Sequence, residues 1–466
     1  MKALVWHGKE DVRYDTMSDP EIEADRDAII KVTSCAICGS DLHLFHNLIP
    51  AMLPGDILGH ETMGEVVEVG NAAKGSLKKG DRIVIPFTIQ CGECDQCRRG
   101  NFSVCERTNR KKELADKAFG HATAGLFGYS HLTGGYPGGQ AEYLRVPFAD
   151  TTHVKVPDGI DDEKLLFLSD ILPTGWQAAV QADIQPGDTV AIWGCGPVGQ
   201  MAIRSAVLLG AEQVVAIDRL PERLSMAAAA GAITIDFAHE SVVERLNDLT
   251  GGKGPHRCID AIGTESHVNL GQPDTILDRA KQMLLAENDR PHVLREMIDV
   301  CRPAGVISIV GVYTGLADKI PMGQAMNKGL TFRMAQTHVP RWTGDLLRRI
   351  DDGQIDPSFV ITHKADLSQG PRCTERSATR RTLASKLCSG PEQIPLIRIT
   401  ERCHHVTHQS DAYHPLRRRP TGREEGPKLD DRRRPAGARA RLVLGRTRRR
   451  RTCRAGPDRP HAGARR

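Results

Sequence analysis

The chain has 466 residues, with 63 Lys and Arg, 58 Asp and Glu, and 13 cysteines. That length predicts two or three domains, and the absence of any run of 18 apolar residues argues against a membrane span. The net charge of +5 misleads: residues 372–466 hold 26 Lys and Arg against 9 Asp and Glu, and residues 1–371 hold 37 against 49, so the body is acidic and gives no bulk electrostatic case for nucleic acid.

Ala3 to Trp6 reads as a strand rather than a signal-peptide core, and the odd cysteine total, with four thiols clustered, favours a reducing cytoplasm. Asp27 to Thr33 reads as a second strand. Cys35-Ala36-Ile37-Cys38 is a C-x-x-C, but no βαβ pattern surrounds it, so a redox pair is the weaker reading and Cys35 is read as packing. Cys38 is followed by Gly39, Ser40, Asp41 and His43, and then by Gly59-His60-Glu61. A thiol and an imidazole in glycine-punctuated turns suit an open catalytic zinc site, which keeps a position for water or substrate. Ser40 and His43 lie close enough to carry a proton away. Short strands with Gly turns follow, at 64–70 and 80–86, and make the first part β-rich and barrel-like.

Cys91, Cys94, Cys97 and Cys105 fall within fifteen residues. Four thiolates close a tetrahedral structural zinc site with no open position, with an iron–sulfur cluster as the alternative. Arg98, Arg99 and Arg107 flank them and are expected to offset part of their charge. Residues 119–140 are rich in Gly and aromatics and read as a loop or a pocket wall. Asp158 to Leu172 begins as an amphipathic helix and ends at Asp170. A carboxylate in so apolar a run needs a partner or a metal; a helix N-cap is the competing reading, and the residues alone leave the two level.

The pattern then changes to βαβ. A strand from Asp188 to Trp193 enters Gly194-Cys195-Gly196-Pro197-Val198-Gly199, a helix runs to Leu209, and a second strand ends at Asp218, nineteen residues after Gly199. In that context a G-x-G-x-x-G cradles a dinucleotide pyrophosphate. Asp218 accepts from a ribose 2′-hydroxyl and repels a 2′-phosphate, which favours NAD; Arg219 and Arg223 soften that preference. Strands at 231–236, 257–263 and 305–311 and helices at 241–250 and 293–300 continue a doubly wound parallel sheet, with an insertion at 264–290. Residues 312–371 are mixed, with an amphipathic stretch from Gly344 to Ile350.

Taken together, Cys38-Gly-Ser-Asp, Gly59-His60-Glu61, the four-cysteine lobe, Asp170-x-x-Pro-Thr-Gly and the Gly194 to Gly199 turn resemble the zinc-containing medium-chain alcohol dehydrogenases, nearest to their formaldehyde dehydrogenase-like branch. The resemblance covers roughly residues 1–371. It implies an α/β protein: a GroES-like, β-rich catalytic domain at 1–157 and 312–371, and a Rossmann domain at 158–311. It implies a catalytic zinc on Cys38, His60 and Asp170, a structural zinc on the four clustered cysteines, and NAD. It makes Ser40 and His43 the proton relay, Glu61 an alternate zinc contact and Asp41 the orienter of His60. The implied reaction moves a hydride from a small alcohol or a hydrated aldehyde to NAD+, a polyol or amino alcohol being the alternative substrate. The implied assembly is a homodimer or homotetramer.

Residues 372–466 depart from the family. A coding sequence compatible with 372–392 reads, in the neighbouring frame, Glu-Met-Tyr-Gly-Ala-Phe-Arg-Asp-Lys-Glu-Asp-Thr-Cys-Ile-Lys-Val-Val-Leu-Arg-Pro and then a stop, close to the family's ending. The segment is therefore read as an out-of-frame, disordered, Arg-rich tail, lacking periodicity, and the body is expected to lack its last helix and strand. An inactive frameshifted protein, or a nucleic-acid-binding one that uses the tail, is the reading from another class.

Overall fold

The computed structural model describes residues 1–263, 291–313 and 317–378, and the backbone of 386–389. The first domain contains β1 (Lys2–Gly8), β2 (Asp11–Thr16), β3 (Ala28–Ala36), β4 (Asp56–Ile57), β5 (Glu61–Val69), β6 (Arg82–Ile85), β7 (Thr88–Ile89), β8 (Gly125–Leu126), β9 (Tyr143–Val146) and β10 (Val154–Lys155). Its main sheet is largely antiparallel. β3 pairs with β5 and β9, β5 with β6, and β6 with β10, while β1, β2 and β4 form a smaller sheet. Register shifts between Ile29 and Ile30 and between Val32 and Ser34 bend β3 along β5. Leu4, Ile30, Ile37, Val66, Ile83 and Phe127 fill the enclosed core.

The second domain is a six-stranded parallel sheet. It is built from β11 (Thr189–Trp193), β12 (Gln213–Asp218), β13 (Ile233–Asp236), β14 (Arg257–Asp260), β15 (Val306–Ile309) and β16 (Thr331–Met334), in the order β13-β12-β11-β14-β15-β16. The inner strands are apolar along their length because helices cover both faces; every residue of β15 is buried. The expected turn chemistry is present. The helix Val242–Thr250 starts with Ser241 Oγ accepting from Glu244 N and ends at Gly251, at φ +59°. The parallel sheet does not end at 311: β16 pairs with β15 in parallel. The amphipathic stretch expected from 344 belongs to a longer helix, Val339–Asp351. The predicted insertion at 264–290 lies outside the described residues.

The single helix expected over 158–172 is instead three pieces: a short helix at Asp162–Leu165, a 3-10 turn at Leu166–Ser169, and the helix Ile171–Gln181. The break falls at Asp170, whose φ of −154° and ψ of −78° are not helical. Asp170 stands at the N-cap position but makes no side-chain cap bond to the helix backbone.

The expected break at residue 371 requires correction. The chain passes it within a helix, Gly370–Ala378, and then supplies β18 (Lys386–Ser389) beside β17 (His363–Asp366). The helix forms because residues 370, 373, 374 and 377 recur at helical spacing and are all buried. Gly370 is needed there: a Cβ would stand 2.3 Å from Leu4 Cδ1. β18 runs parallel to β17 and antiparallel to β3, so a terminal helix and strand are both in place. Residues 379–385 and 390–466, the rest of the expected disordered tail, lie outside the described residues. Among the described residues no helix is long and apolar enough to cross a membrane.

Candidate active site

Cys38 ends the turn after β3 and sits at the N-terminus of the helix Gly39–Phe45. His60 and Glu61 lead into β5, and Asp170 stands at the break before Ile171–Gln181. Three separate stretches of chain therefore converge. One donor atom from each of Cys38, His60, Glu61 and Asp170 falls within a set in which no two are more than 4.8 Å apart, and all four residues are buried. His60 Nε2 is 3.3 Å from Asp170 Oδ2, and Cys38 Sγ is 4.0 Å from the same oxygen.

Each of these side chains is held from behind. Asp41 Oδ1 stands 3.1 Å from His60 Nδ1 as an ion-pair contact, which favours a proton on Nδ1 and leaves Nε2 to face the cluster. Asp41 Oδ2 accepts from Cys38 N at 2.9 Å and from Gln140 Nε2 at 3.2 Å. Thr174 Oγ1 donates to Asp170 Oδ1 at 2.7 Å and accepts from Thr337 Oγ1 at 2.8 Å. That leaves Asp170 Oδ2 pointing at His60 and Cys38. Phe87 and Tyr129 stand edge-on to the His60 ring, each with its centroid 6.4 Å away.

The electrostatics of this cluster call for a cation. Burial, reinforced by Glu61, pushes the Cys38 thiol up to about 12. Burial and then Asp170 push Glu61 up to about 8. For His60, burial acts to lower the pKa, but Asp41 and Asp170 outweigh it and hold the imidazole well above its ordinary value. A thiol, an imidazole and two carboxylates crowded in a dry site are the donor set of a zinc ion, whose charge would reverse those shifts. Glu61 Oε1 is buried without a hydrogen-bond partner among the described residues, as suits a group held in reserve for a metal.

The four-cysteine lobe also forms. Cys91 Sγ lies 3.9 Å from Cys97 Sγ, and Cys94 Sγ 3.9 Å from Cys105 Sγ. A tetrahedron of Zn–S bonds has edges of about 3.8 Å, so the pocket is already of zinc size. Backbone N–H groups of Glu93, Cys94 and Cys97 point at the sulfurs. Two of the flanking arginines are engaged by carboxylates. Arg99 pairs with Asp95 and Arg107 with Glu93, because an exposed guanidinium finds a carboxylate more readily than a buried thiol. Arg26 also reaches the lobe, donating to Cys91 O at 2.9 Å.

The glycine turn joins β11 to the helix Pro197–Leu208. Gly194 has φ +93°, and a Cβ on Gly199 would lie 1.8 Å from Gly194 O, so neither position admits a side chain. Asp218, at the end of β12, accepts from Cys195 N at 2.8 Å through Oδ2, and from Arg219 N and Leu220 N through Oδ1. Arg223 Nη1 stands 3.7 Å from it.

One cleft of about 330 Å³ connects the two regions. Its walls include Cys38, Ser40, His43, His60 and Asp170 on one side, and Gly194, Gly196, Pro197, Val198, Asp218, Arg219 and Arg223 on the other. Asp41 and Glu61 lie behind this wall, and Gly199 packs beneath the turn. Tyr129 belongs to the aromatic stretch read as a loop or a pocket wall, and it does line the cleft; sequence reasoning gave no specific role to Thr174, Thr337, Gln140 or Phe87. Thr174 stood inside a quoted motif, Asp170-x-x-Pro-Thr-Gly; Thr337, Gln140 and Phe87 carry no local signal, because each reaches the site through the fold.

Residues 24–158 match the alcohol dehydrogenase GroES-like domain, and residues 197–271 match the zinc-binding dehydrogenase domain. Over 373 residues the chain is 39% identical to the zinc-type alcohol dehydrogenase-like protein AdhB of Bacillus subtilis, across 79% of this chain and 94% of that protein. It is 34% identical over 375 residues to a glutathione-independent formaldehyde dehydrogenase of Pseudomonas aeruginosa, across 76% and 87%. Among solved structures, the alcohol dehydrogenase of Thermus sp. ATN1 superposes with a TM-score of 0.70 at 34% identity, covering 84% of this chain and all of that one. With a buried Cys–His–Glu–Asp cluster opening on the cleft of a Rossmann sheet, and a four-cysteine lobe beside it, the chain belongs to the zinc-type medium-chain alcohol dehydrogenase family.

Proposed function

We propose that this protein oxidises a small alcohol or a hydrated aldehyde with NAD+. The carrying observation is that the Cys38–His60–Asp170 cluster and the Gly194–Gly199 turn open onto one cleft. A bound zinc would supply Lewis acidity toward the substrate hydroxyl, and a bound NAD+ the hydride acceptor. Cys38, His60 and Asp170 would hold the metal, with Glu61 as a spare donor behind it. Asp41 and Thr174 fix the two donors most able to rotate. Ser40 and His43, both on the cleft wall, take the hydroxyl proton toward solvent. Phe87 and Tyr129 exclude water around His60. Asp218 orients the ribose and disfavours a 2′-phosphate. The similarity to a formaldehyde dehydrogenase of Pseudomonas aeruginosa supports formaldehyde, as its hydrate, among the substrates.

The open edge of β16, with Met326 and Met334 exposed, supports a homo-oligomer formed by strand addition, which light scattering would test. The cysteine usage supports a cytoplasmic protein. The activity is tested by measuring zinc content and NAD+ reduction on the full chain with formaldehyde and ethanol. About two zincs per chain and NADH formation are expected. Two zincs with no reduction of NAD+ by either substrate would refute the reaction.

A further inference from the structure

The hydrogen bonds behind Asp170 begin well outside the metal cluster, at Thr337. That residue follows β16 and belongs to no helix or strand, yet it is buried, and its hydroxyl donates to Thr174 Oγ1 at 2.8 Å. Thr174 Oγ1 in turn donates to Asp170 Oδ1 at 2.7 Å. The two hydroxyls make a directed chain that ends on a metal donor, and each bond polarises the next. A helical threonine has a competing acceptor in the carbonyl four residues before it, here that of Asp170. Accepting from Thr337 holds the Thr174 hydroxyl against that alternative and aimed at the carboxylate.

Thr337 is itself held from the four-cysteine lobe. Ser103 lies two residues before Cys105, in the turn Phe102–Val104, and is buried. Its Oγ donates to Gln336 O at 2.9 Å and stands 3.0 Å from His338 Nδ1, which accepts from Ser103 N at 3.4 Å. These contacts bracket Thr337 on both sides. Arg341 adds two bonds at the rim, to Asn101 Oδ1 at 3.0 Å and to Arg99 O at 3.3 Å. The same segment grips the helix that follows Asp170: Gln177 Oε1 accepts from His338 N and from Trp342 Nε1, each at 3.0 Å. Backbone groups at 336 and 338 are thus satisfied by side chains of the lobe and of the helix, not by a sheet. We propose that Ser103 and Thr337 are positioning residues through which the four-cysteine lobe sets Asp170, so that the lobe governs how tightly the active-site metal is held. The inference rests on zinc at both sites, as read above, and not on the identity of the substrate.

The test is chelator titration of the zinc-loaded full chain, read by a zinc-sensitive dye with no substrate present. The wild type should release zinc in two phases, one from the Cys38–His60–Asp170 cluster and one from the lobe. Thr337→Val keeps the shape and removes the hydroxyl. It should move the active-site phase to about tenfold lower chelator, as loss of a ligand's hydrogen-bond partner does, and leave the lobe phase in place. Thr337→Ser returns the hydroxyl and should return the wild-type curve. Ser103→Ala should move the active-site phase the same way by a smaller factor. In the double variant the shift should not exceed that of Thr337→Val alone, because Ser103 acts through Thr337. Arg341→Ala cuts the exposed rim of the same contact and takes the place of Ser103→Ala in this comparison if that variant does not fold. An active-site phase that Thr337→Val leaves unmoved, or that Thr337→Ser fails to restore, overturns the positioning role. A phase moved by Thr337→Val but by no variant of the lobe contact, or shifts that multiply in the double variant, overturns the link to the lobe. The expected pattern without turnover of any alcohol supports the link and overturns the activity proposed above. One zinc per wild-type chain overturns the two-zinc reading and this inference with it.

Discussion

Replacing Asp41 by Asn tests how the metal donors are held. The change is nearly isosteric and removes one acceptor from a buried group that accepts from Cys38 N and Gln140 Nε2 and stands in ion-pair contact with His60 Nδ1. In one orientation the new amide NH2 faces Nδ1. The imidazole must then carry its proton on Nε2, the atom that faces Asp170, and that atom can no longer ligate a metal. In the other orientation the buried Cys38 N–H loses its acceptor, at a cost of about 1–3 kcal/mol. Either way, zinc affinity at this site should fall about 10–100-fold, or roughly 1.4–2.7 kcal/mol. Chelator titration with a zinc-sensitive dye should show two release phases in the wild type. In Asp41→Asn the first should move to a 10–100-fold lower chelator concentration, and the second, from the cysteine lobe, should stay in place. Activity should return in part with added zinc. Two phases superimposable on the wild type would show that Asp41 does not hold His60 in its metal-binding tautomer.

Three further outcomes follow from distances given above. Gly199→Ala should reduce NADH binding at least tenfold in a fluorescence titration while zinc content stays the same, because its Cβ would meet Gly194 O; unchanged binding would refute the close-packed turn. Asp218→Ala frees three backbone N–H groups and leaves Arg223 without its carboxylate. The NAD-to-NADP ratio of kcat/KM should then drop by about tenfold or more, and a constant ratio would place specificity elsewhere. His338 is held down to about 4 by burial, aided by Arg341, from an ordinary 6.5, with Nδ1 facing Ser103 Oγ at 3.0 Å. The unfolded chain binds that proton below pH 6.5 and the native one does not. The contribution of neutral His338 is therefore complete above pH 6.5 and is lost as pH falls toward 4. Denaturant melts of His338→Gln should show a shallower loss of stability over that window than the wild type; parallel slopes would refute the assignment.

The metal chemistry was the most legible part of the sequence. Thiols at C-x2-C-x2-C spacing stay together in almost any fold, and Gly194 to Gly199 sits between a strand and a helix that its own pattern announces. Asp170 was ambiguous for a physical reason: a carboxylate ahead of an apolar helix looks the same whether it caps the helix or turns from it, and only the non-helical break at that residue decides. Asp41 and Gln140 illustrate the opposite limit. Their pairing joins residues 99 apart, and no local periodicity carries that information. The helix over 370–378 was hidden by composition. Its buried face is Gly, Cys, Thr and Ser, residues too polar to register as an apolar stripe, although their spacing is helical.

β18 occupies the slot between β3 and β17. Its residues are Lys386-Leu387-Cys388-Ser389, of mixed polarity for an interior strand. An interior strand is recruited by two rows of waiting carbonyls and amides, which any residue but proline can satisfy. The sheet thus works as a mould that reads main chain and ignores most of the message cast into it. A change of side chains along this strand alters the lettering of the protein without leaving an open seam in its wall.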